Sequence, residues 1–237
     1  MNIKKTNYIL FRSKRKTLTD RRLDLAIDGI NILQVTKTKF LGVVINQTLT
    51  WNDHIMIIKQ KIAKNVGILT RVRYCVPRCV LISLYHVLIE PYLMYCNIVW
   101  ITQNTVALNS LFLCQKRVVR IITFSHWLGH TKPIFKKYRI LTVCDINRLQ
   151  VACFMFSIMH NLIPQYFGSM FTLNSSVHSY QTRQNNDFHQ AKFQSNITKF
   201  NIRVQGPLLW NSLPAELKNL SYLGLFKRRY KLHHLQQ

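Results

Sequence analysis

The spacing of apolar residues divides the chain into a β-like beginning and a helical remainder. Near the start, short apolar stretches alternate with polar turns at Asn7–Arg12, Leu23–Ile27, Ile30–Val35 and Phe40–Ile45. An Asp-Gly pair, Asp28-Gly29, separates the second stretch from the third and is a strong hairpin signal. We therefore predict three or four short strands, with a hairpin at the Asp-Gly pair.

From Asn52 onward the period becomes that of an α-helix. Apolar residues recur every three or four positions, at Ile55, Ile58, Ile62, Val66, Leu69 and Val72. Such a stripe predicts one long helix with a single buried face. Lys61, Lys64 and Arg71 fall on the opposite side, which in most helices is simply solvated. Because the cations here have so few acidic counterparts, a face that contacts phosphate is the alternative.

Similar patterns predict further helices along the chain. One begins at Pro77, one covers about Val106–Ile122, and one is capped by Asp145. The second of these carries Lys116, Arg117 and Arg120 clustered on one side. These three cations are candidate phosphate contacts as well.

The last third of the chain has a mixed texture. Asn174–Ile197 is rich in Ser, Asn, Gln and His and predicts an irregular, flexible linker. Gly206-Pro207 predicts a turn before an apolar cluster, and Phe226–Lys231 predicts a terminal helix. The whole pattern predicts an α+β fold, mainly α with a small N-terminal antiparallel β-sheet. We expect five parts, with bounds at residues 1–50, 51–124, 125–170, 171–201 and 202–237.

Charge is the strongest compositional feature. The 237 residues include 33 Lys and Arg but only 8 Asp and Glu, a formal net charge of +25. Internal ion pairs cannot satisfy such an excess, so most cations need an external anion, with nucleic acid first and an anionic membrane second. Because hydrophobic residues make up 48% of the chain, a disordered basic tail is excluded.

Val80–Ile101 is the stretch that keeps a membrane alternative open. Its length and apolar character suit a spanning helix, which needs roughly 20 apolar residues. It also contains Glu90 and Pro91 near its centre, and a buried charge there is unfavourable in lipid. A buried helix broken at the proline is the favoured interpretation, with a membrane-inserted helical protein as the alternative.

The six cysteines lie mostly within apolar runs, and no signal peptide precedes them. We expect reduced, buried thiols in an intracellular protein, nuclear or cytoplasmic and not secreted. Cys75 and Cys79 with His86 are a weak metal-site candidate, and core packing is favoured because no second close ligand pair follows.

The acidic residues exclude catalysis of phosphoryl transfer by two metal ions. Enzymes that transfer phosphoryl groups with two metal ions need carboxylates that converge on those ions. The chain offers no such pair in its eight acids, Asp20, Asp24, Asp28, Asp53, Glu90, Asp145, Asp187 and Glu216. We therefore predict no catalytic residue, no metal site and no small-molecule substrate in this chain.

Five sequence blocks, in the same order along the chain, resemble a known family. The blocks are Asn2–Phe11, Lys39–Ile45 with Leu49-Thr50-Trp51 and His54-Ile55, Leu84–Trp100, Gln115–Ile122 and Gly206–Pro214. Their order is similar to the C-terminal part of the reverse transcriptase of non-LTR retrotransposons, LINE-type elements of the Jockey group. That family is an RNA-directed DNA polymerase that uses Mg²⁺.

The resemblance implies roles for particular residues. Lys5 would belong to a palm segment behind the catalytic aspartates. Phe40, Leu41 and Gly42 would form the primer grip, a hairpin that holds the primer end. The helices from Asn52 to about Thr123 would form a thumb that follows the template-primer duplex through Lys61, Lys64, Arg71, Lys116, Arg117 and Arg120. The partners would be RNA and DNA, bound without sequence specificity.

The family's catalytic aspartates have no counterpart in the chain, which begins after their position. We therefore expect a truncated product that binds template-primer and lacks polymerase activity by itself, with no cofactor of its own. The alternatives are the membrane-associated protein described above and an enzyme completed in trans by a separate palm and fingers chain.

Overall fold

The computed structural model describes residues 6–13, 23–101, 106–177, 184–193 and 196–236. The chain divides into two compact units, Met1–Lys61 and Ile62–Gln237. Short strands come first and helices make up the rest, so the predicted mainly α, α+β fold class is confirmed.

The strands of the first unit form three two-stranded pairs. The strands are β1 (Asn7–Tyr8), β2 (Ala26–Ile27), β3 (Ile30–Asn31), β4 (Leu33–Gln34), β5 (Lys37–Phe40) and β6 (Val43–Asn46). β2 pairs antiparallel with β3, and both turn residues, Asp28 and Gly29, have positive φ. The predicted hairpin at that pair is thus confirmed, while β1 and β4 pair in parallel.

The prediction of a single strand over Phe40–Ile45 is wrong. β5 and β6 are the two arms of an antiparallel hairpin, in which Phe40 lies opposite Val43. Leu41 and Gly42 form its two-residue turn, with φ angles of 44° and 83°. A glycine at the second turn position permits this reversal, which interrupts the apolar run that suggested one strand.

Thirteen helices follow in the described residues. Those longer than ten residues are α1 (Asn52–Val72), α2 (Arg78–Leu88), α5 (Val106–Thr123), α7 (Val143–Met159) and α13 (Leu223–Gln236). The shorter ones are α3 (Glu90–Met94), α4 (Asn97–Trp100), α6 (Lys132–Lys137), α8 (Gln165–Gly168), α9 (Asn174–Val177), α10 (Asn196–Lys199), α11 (Ile202–Asn211) and α12 (Ala215–Lys218). The helices predicted from periodicity are all present.

Val80–Ile101, the stretch considered for a membrane span, does not form one helix. It is divided among α2, α3 and α4, with a break at Ile89 just before Glu90 and Pro91. No helix in the described part of the chain combines the length and the apolar character needed to cross a membrane.

One hydrophobic core of the second unit is an aromatic cluster between α7, α11 and α13. Phe156 of α7 lies 4.7 Å from Phe226 of α13, measured between ring centroids, and Trp210 of α11 lies 6.0 Å from the same ring. All three side chains are almost fully buried. Phe188, within the segment predicted as a linker, is also buried in this cluster. Residues 178–183 and 194–195 of that predicted linker lie outside the described residues.

Asn211 fixes Phe188 in place. Its side-chain amide donates to the Phe188 carbonyl at 2.8 Å, and its side-chain oxygen accepts from the Phe188 N–H at 3.0 Å. These two bonds satisfy the backbone N–H and C=O of Phe188, a buried residue that is not itself part of a helix.

The predicted turn at Gly206-Pro207 is wrong, since both residues lie inside α11. A Gly-Pro pair usually ends a helix, but here one face of α11 is buried against α7. A β-carbon at position 206 would lie only 2.5 Å from the sulfur of buried Met155, so the glycine allows the close approach. Packing between the two helices therefore overrides the local turn preference.

Gly206→Ala should consequently destabilise the protein, although alanine favours helix over glycine by about 1 kcal/mol. The added methyl overlaps Met155, and overpacking of this kind typically costs about 1–3 kcal/mol. Gly67→Ala in α1 is the matched control, because a β-carbon there meets nothing within 4 Å. Denaturant unfolding should show a loss of stability for the first variant and a gain for the second. Equal gains for both would contradict the close packing.

Two smaller predictions also need correction. Thr142, not Asp145, is the N-cap of α7, and Asp145 completes a capping box three residues later. The cysteines are free thiols, but four of the six are exposed, namely Cys75, Cys79, Cys96 and Cys144. The prediction that they are buried is therefore wrong.

Candidate nucleic-acid interface

Gln115 positions α5, the helix that carries three of the predicted phosphate contacts. The side chain is fully buried and donates to the Tyr85 hydroxyl and to the Leu141 carbonyl, each at 2.8 Å. Its oxygen accepts from the Val143 N–H at 3.0 Å. Burial also raises the pKa of Tyr85 far above its usual range, which keeps that hydroxyl neutral. This bridge ties α5 to α2 and to the start of α7.

A groove runs between α1 and α5 in the second unit. It consists of two adjoining depressions of about 460 and 370 Å³ that share Thr70 and Arg117. We call this the α1–α5 groove, lined by Ala63, Val66, Gly67, Thr70, Arg71, Arg73, Cys114, Arg117, Arg120, Ile121, Ser125 and Trp127.

Four arginines line the α1–α5 groove: Arg71, Arg73, Arg117 and Arg120. Arg71 and Arg117, one from each helix, are exposed. No acidic residue contributes to the described lining. Ala63 and Gly67 also line the groove, and their small size leaves space beside the arginines. The groove therefore offers guanidinium groups on both walls to an anionic chain.

Sequence patterns missed two residues of the groove. Arg73 lies just beyond the end of α1, and its guanidinium carbon lies 4.4 Å from the centroid of the Tyr74 ring. Trp127 lies in the loop between α5 and α6 and is 72% exposed. An isolated tryptophan in a short loop has no periodic signal, so only the fold reveals that it borders the charged groove. Trp100, by contrast, is a core side chain.

The three predicted cations of α5 do not act as one cluster. Arg117 faces the groove, while Lys116 faces a separate cleft on the other side of α5, where its ammonium lies 4.4 Å from the Phe112 ring centroid. Arg120 borders both, and its Nε and Nη2 donate to the Gly129 carbonyl at 3.1 and 3.0 Å. Arg120 thus also holds the loop that follows α5.

The other predicted contacts are distributed along the chain. Lys61 and Lys64 are exposed on α1, in the first and the second unit respectively. Phe40, Leu41 and Gly42 are exposed at the tip of the β5–β6 hairpin. Lys5 lies outside the described residues.

His54 joins the β5–β6 hairpin to α1 within the first unit. The side chain is 4% exposed, and its Nδ1 accepts a hydrogen bond from the Val44 N–H at 3.3 Å. Burial and the charge of Lys61 both lower the pKa of His54 below 6.5. The bond to Val44 requires an unprotonated Nδ1, so this contact forms only with the neutral imidazole.

Acidification should therefore weaken the first unit. The unfolded chain binds a proton at His54 near pH 6.5, whereas the folded chain resists protonation until a lower pH. Since the unfolded state binds more protons in that window, stability falls as the pH drops through it. His54→Asn retains a side-chain acceptor without titrating. Thermal unfolding should show that the native chain loses more stability than this variant between about pH 7.5 and pH 5.5. Equal losses of stability in the native chain and in His54→Asn would contradict this role for His54.

The described acids are dispersed and largely engaged in structural contacts. Asp187 pairs with Lys218 at 3.0 Å, Asp145 with His234 at 2.8 Å, and Asp53 with Lys37 at 3.6 Å. Among the residues that the structure describes, no three His, Cys, Asp or Glu side chains come close enough to hold a metal ion.

Fold and groove define a mainly α, strongly cationic protein whose described surface suits an anionic polymer. No family model and no solved structure matches the chain. Over 153 residues it is 24% identical to the probable RNA-directed DNA polymerase from transposon X-element of Drosophila melanogaster. The match covers 62% of this chain and 16% of that relative, so the chain spans a small part of its length. This likeness supports a relationship to reverse transcriptases, while the assignment to palm, primer grip and thumb stays a prediction.

Proposed function

We propose that the chain is a template-primer-binding part of a non-LTR retrotransposon reverse transcriptase, and that the α1–α5 groove contacts the nucleic-acid backbone. The observation that carries this proposal is the groove itself, with arginines on both walls and no acid in the described lining. The likeness to an RNA-directed DNA polymerase supports the same conclusion from an independent direction.

The geometry favours contacts that do not read sequence. Arginine forks match the paired oxygens of a phosphate, and contacts to phosphate position a protein without discriminating bases. The described lining comes from the sides and the last turns of α1 and α5 and from the loop that follows α5, and it includes no helix N-terminus of the kind that reads bases in a DNA groove. Exposed Trp127 at one end supplies a flat face on which an unpaired base can stack.

Polymerase activity is not expected from this chain by itself. Two-metal phosphoryl transfer needs converging carboxylates, whereas the described acids are scattered, and Asp53, Asp145 and Asp187 are each paired with a Lys or His side chain. The proposal is therefore for binding without nucleotide incorporation. Mg²⁺ would be used only by a complete enzyme of this family.

Binding to unrelated sequences tests the proposal. Labelled duplexes of equal length and different sequence should have the same Kd within about twofold, because contacts to phosphate dominate the binding free energy. A primer-template supplied with deoxynucleotides and Mg²⁺ should be bound but not extended. A strong preference for one sequence, or no binding at about 0.05 M salt, would contradict the proposal. Primer extension would show that the catalytic part of the account is wrong.

A further inference from the structure

A second cationic cavity lies on the opposite side of α5 from the groove. It has a volume of about 580 Å³, within the range of pockets that hold small ligands. α5 and α6 form two of its walls, and the start of α7 and the end of α13 close it. We call it the α5–α6 cleft.

Cations dominate the rim of the α5–α6 cleft. Five of them line it: Lys116, Arg120, Lys132, Lys136 and Arg148. The single carboxylate, Asp145, accepts from the Thr142 hydroxyl at 2.5 Å and pairs with His234 at 2.8 Å. Both of its oxygens already have partners, so Asp145 forms no direct ion pair with the lysines of the cleft. Of the residues the structure describes, none forms an ion pair with Lys132 or Lys136.

The interior of the same cleft is apolar and aromatic. Phe112 and Phe135 line it with their ring centroids 6.2 Å apart, and buried Ile140 lies beside them. Phe112 is partly exposed, and the Lys116 ammonium lies 4.4 Å from its ring centroid. An inorganic anion alone would leave this apolar surface wet, and an apolar molecule alone would leave the cations without a counter-charge.

We propose that the α5–α6 cleft binds a single nucleotide, with its phosphate at Lys132 and Lys136 and its base against Phe112. A nucleoside phosphate combines the flat apolar ring and the anion that the two parts of the cleft call for. The ligand is either a free nucleotide or the unpaired terminal nucleotide of a bound strand. This site goes beyond the proposed function, because it shares only Arg120 with the α1–α5 groove.

Calorimetric titration with three free ligands tests the combination. 5′-AMP should bind at least tenfold more tightly than adenosine or inorganic phosphate. Lys132→Gln/Lys136→Gln should weaken 5′-AMP binding at least tenfold. The matched control is Lys137→Gln on the same helix, where the ammonium lies 5.7 Å from the Tyr138 ring centroid instead of lining the cleft. Phe112→Leu should weaken 5′-AMP and leave phosphate unchanged.

Three results would overturn the proposal: undetectable 5′-AMP binding at millimolar concentration, equal affinity for phosphate and 5′-AMP, or equal losses of 5′-AMP affinity in the Lys137 control and the double variant.

Duplexes with and without a one-nucleotide 5′-phosphorylated overhang separate the two ligand sources. Tighter binding of the overhang, lost in the Lys132/Lys136 variant, identifies the terminal nucleotide, and equal binding of both duplexes identifies a free one. Arg71→Gln/Arg117→Gln should retain 5′-AMP binding while losing duplex affinity, so failure of the groove and failure of the cleft are distinguishable.

Discussion

Gln115→Met should lower the free energy of unfolding by about 2–4 kcal/mol, because each buried polar group left without a partner costs about 1–3 kcal/mol. Methionine has nearly the length and volume of glutamine and keeps the packing of this fully buried position. What it removes is the bridge to Tyr85, Leu141 and Val143. The Leu141 carbonyl and the Val143 N–H then remain in the interior without their partner.

Gln150→Met is the matched control for this experiment. Gln150 also donates to a backbone carbonyl, that of Met94 at 2.8 Å, but this bond is exposed to solvent. Water can replace it, so the change should stay within about 0.5 kcal/mol. Denaturant unfolding of the two variants gives the comparison directly. If Gln115→Met unfolds with the stability of the native chain, α5 is held by its apolar face and the bridge is dispensable.

Arg71→Glu/Arg117→Glu should weaken duplex binding about 100-fold at a fixed low salt concentration, since each charged hydrogen bond contributes about 1.5 kcal/mol. Both residues are exposed, one on each wall of the α1–α5 groove, so their replacement should leave the fold intact. Thermal unfolding checks the fold, and fluorescence anisotropy with a labelled duplex measures the affinity.

A protein with a net charge of +25 needs a control for charge itself. Arg228→Glu/Arg229→Glu changes the net charge by the same amount at two exposed positions of α13 that line neither the groove nor the cleft. Its effect should be under tenfold, because diffuse charge contributes little beyond the Debye length, about 10 Å at 0.1 M salt. Equal losses in the two double variants would show that the groove has no special role.

Sequence patterns predicted the helices well because the signal, an apolar residue at every third or fourth position, lies within each helix itself. The stripe from Ile55 to Leu69 and the similar stripe in α5 each bury one face, as the spacing requires. The groove could not be predicted in this way, since it depends on which helices become neighbours. Lys116 and Arg117 are adjacent in sequence, yet a rotation of about 100° per residue turns them toward different cavities.

Two of the misread elements share one physical cause. Gly206-Pro207 was predicted as a turn, but contact with Met155 keeps both residues in α11. Phe188 lies in a polar stretch, but Asn211 supplies its backbone partners and the aromatic cluster buries it. In both cases distant residues decide the local structure. Packing between helices accordingly explains the residues of the family-like block Gly206–Pro214. Buried hydrogen bonds explain Gln115, which belongs to another of these blocks.

The salt dependence of duplex binding tests the central claim most directly. Each phosphate contact contributes about 0.9 to the slope of log affinity against log salt on duplex DNA. Arg71→Gln/Arg117→Gln should therefore reduce the slope of the native chain by about 2, while Arg228→Gln/Arg229→Gln should leave it nearly unchanged. A slope that is the same in the native chain and in the groove variant would contradict phosphate binding in the α1–α5 groove.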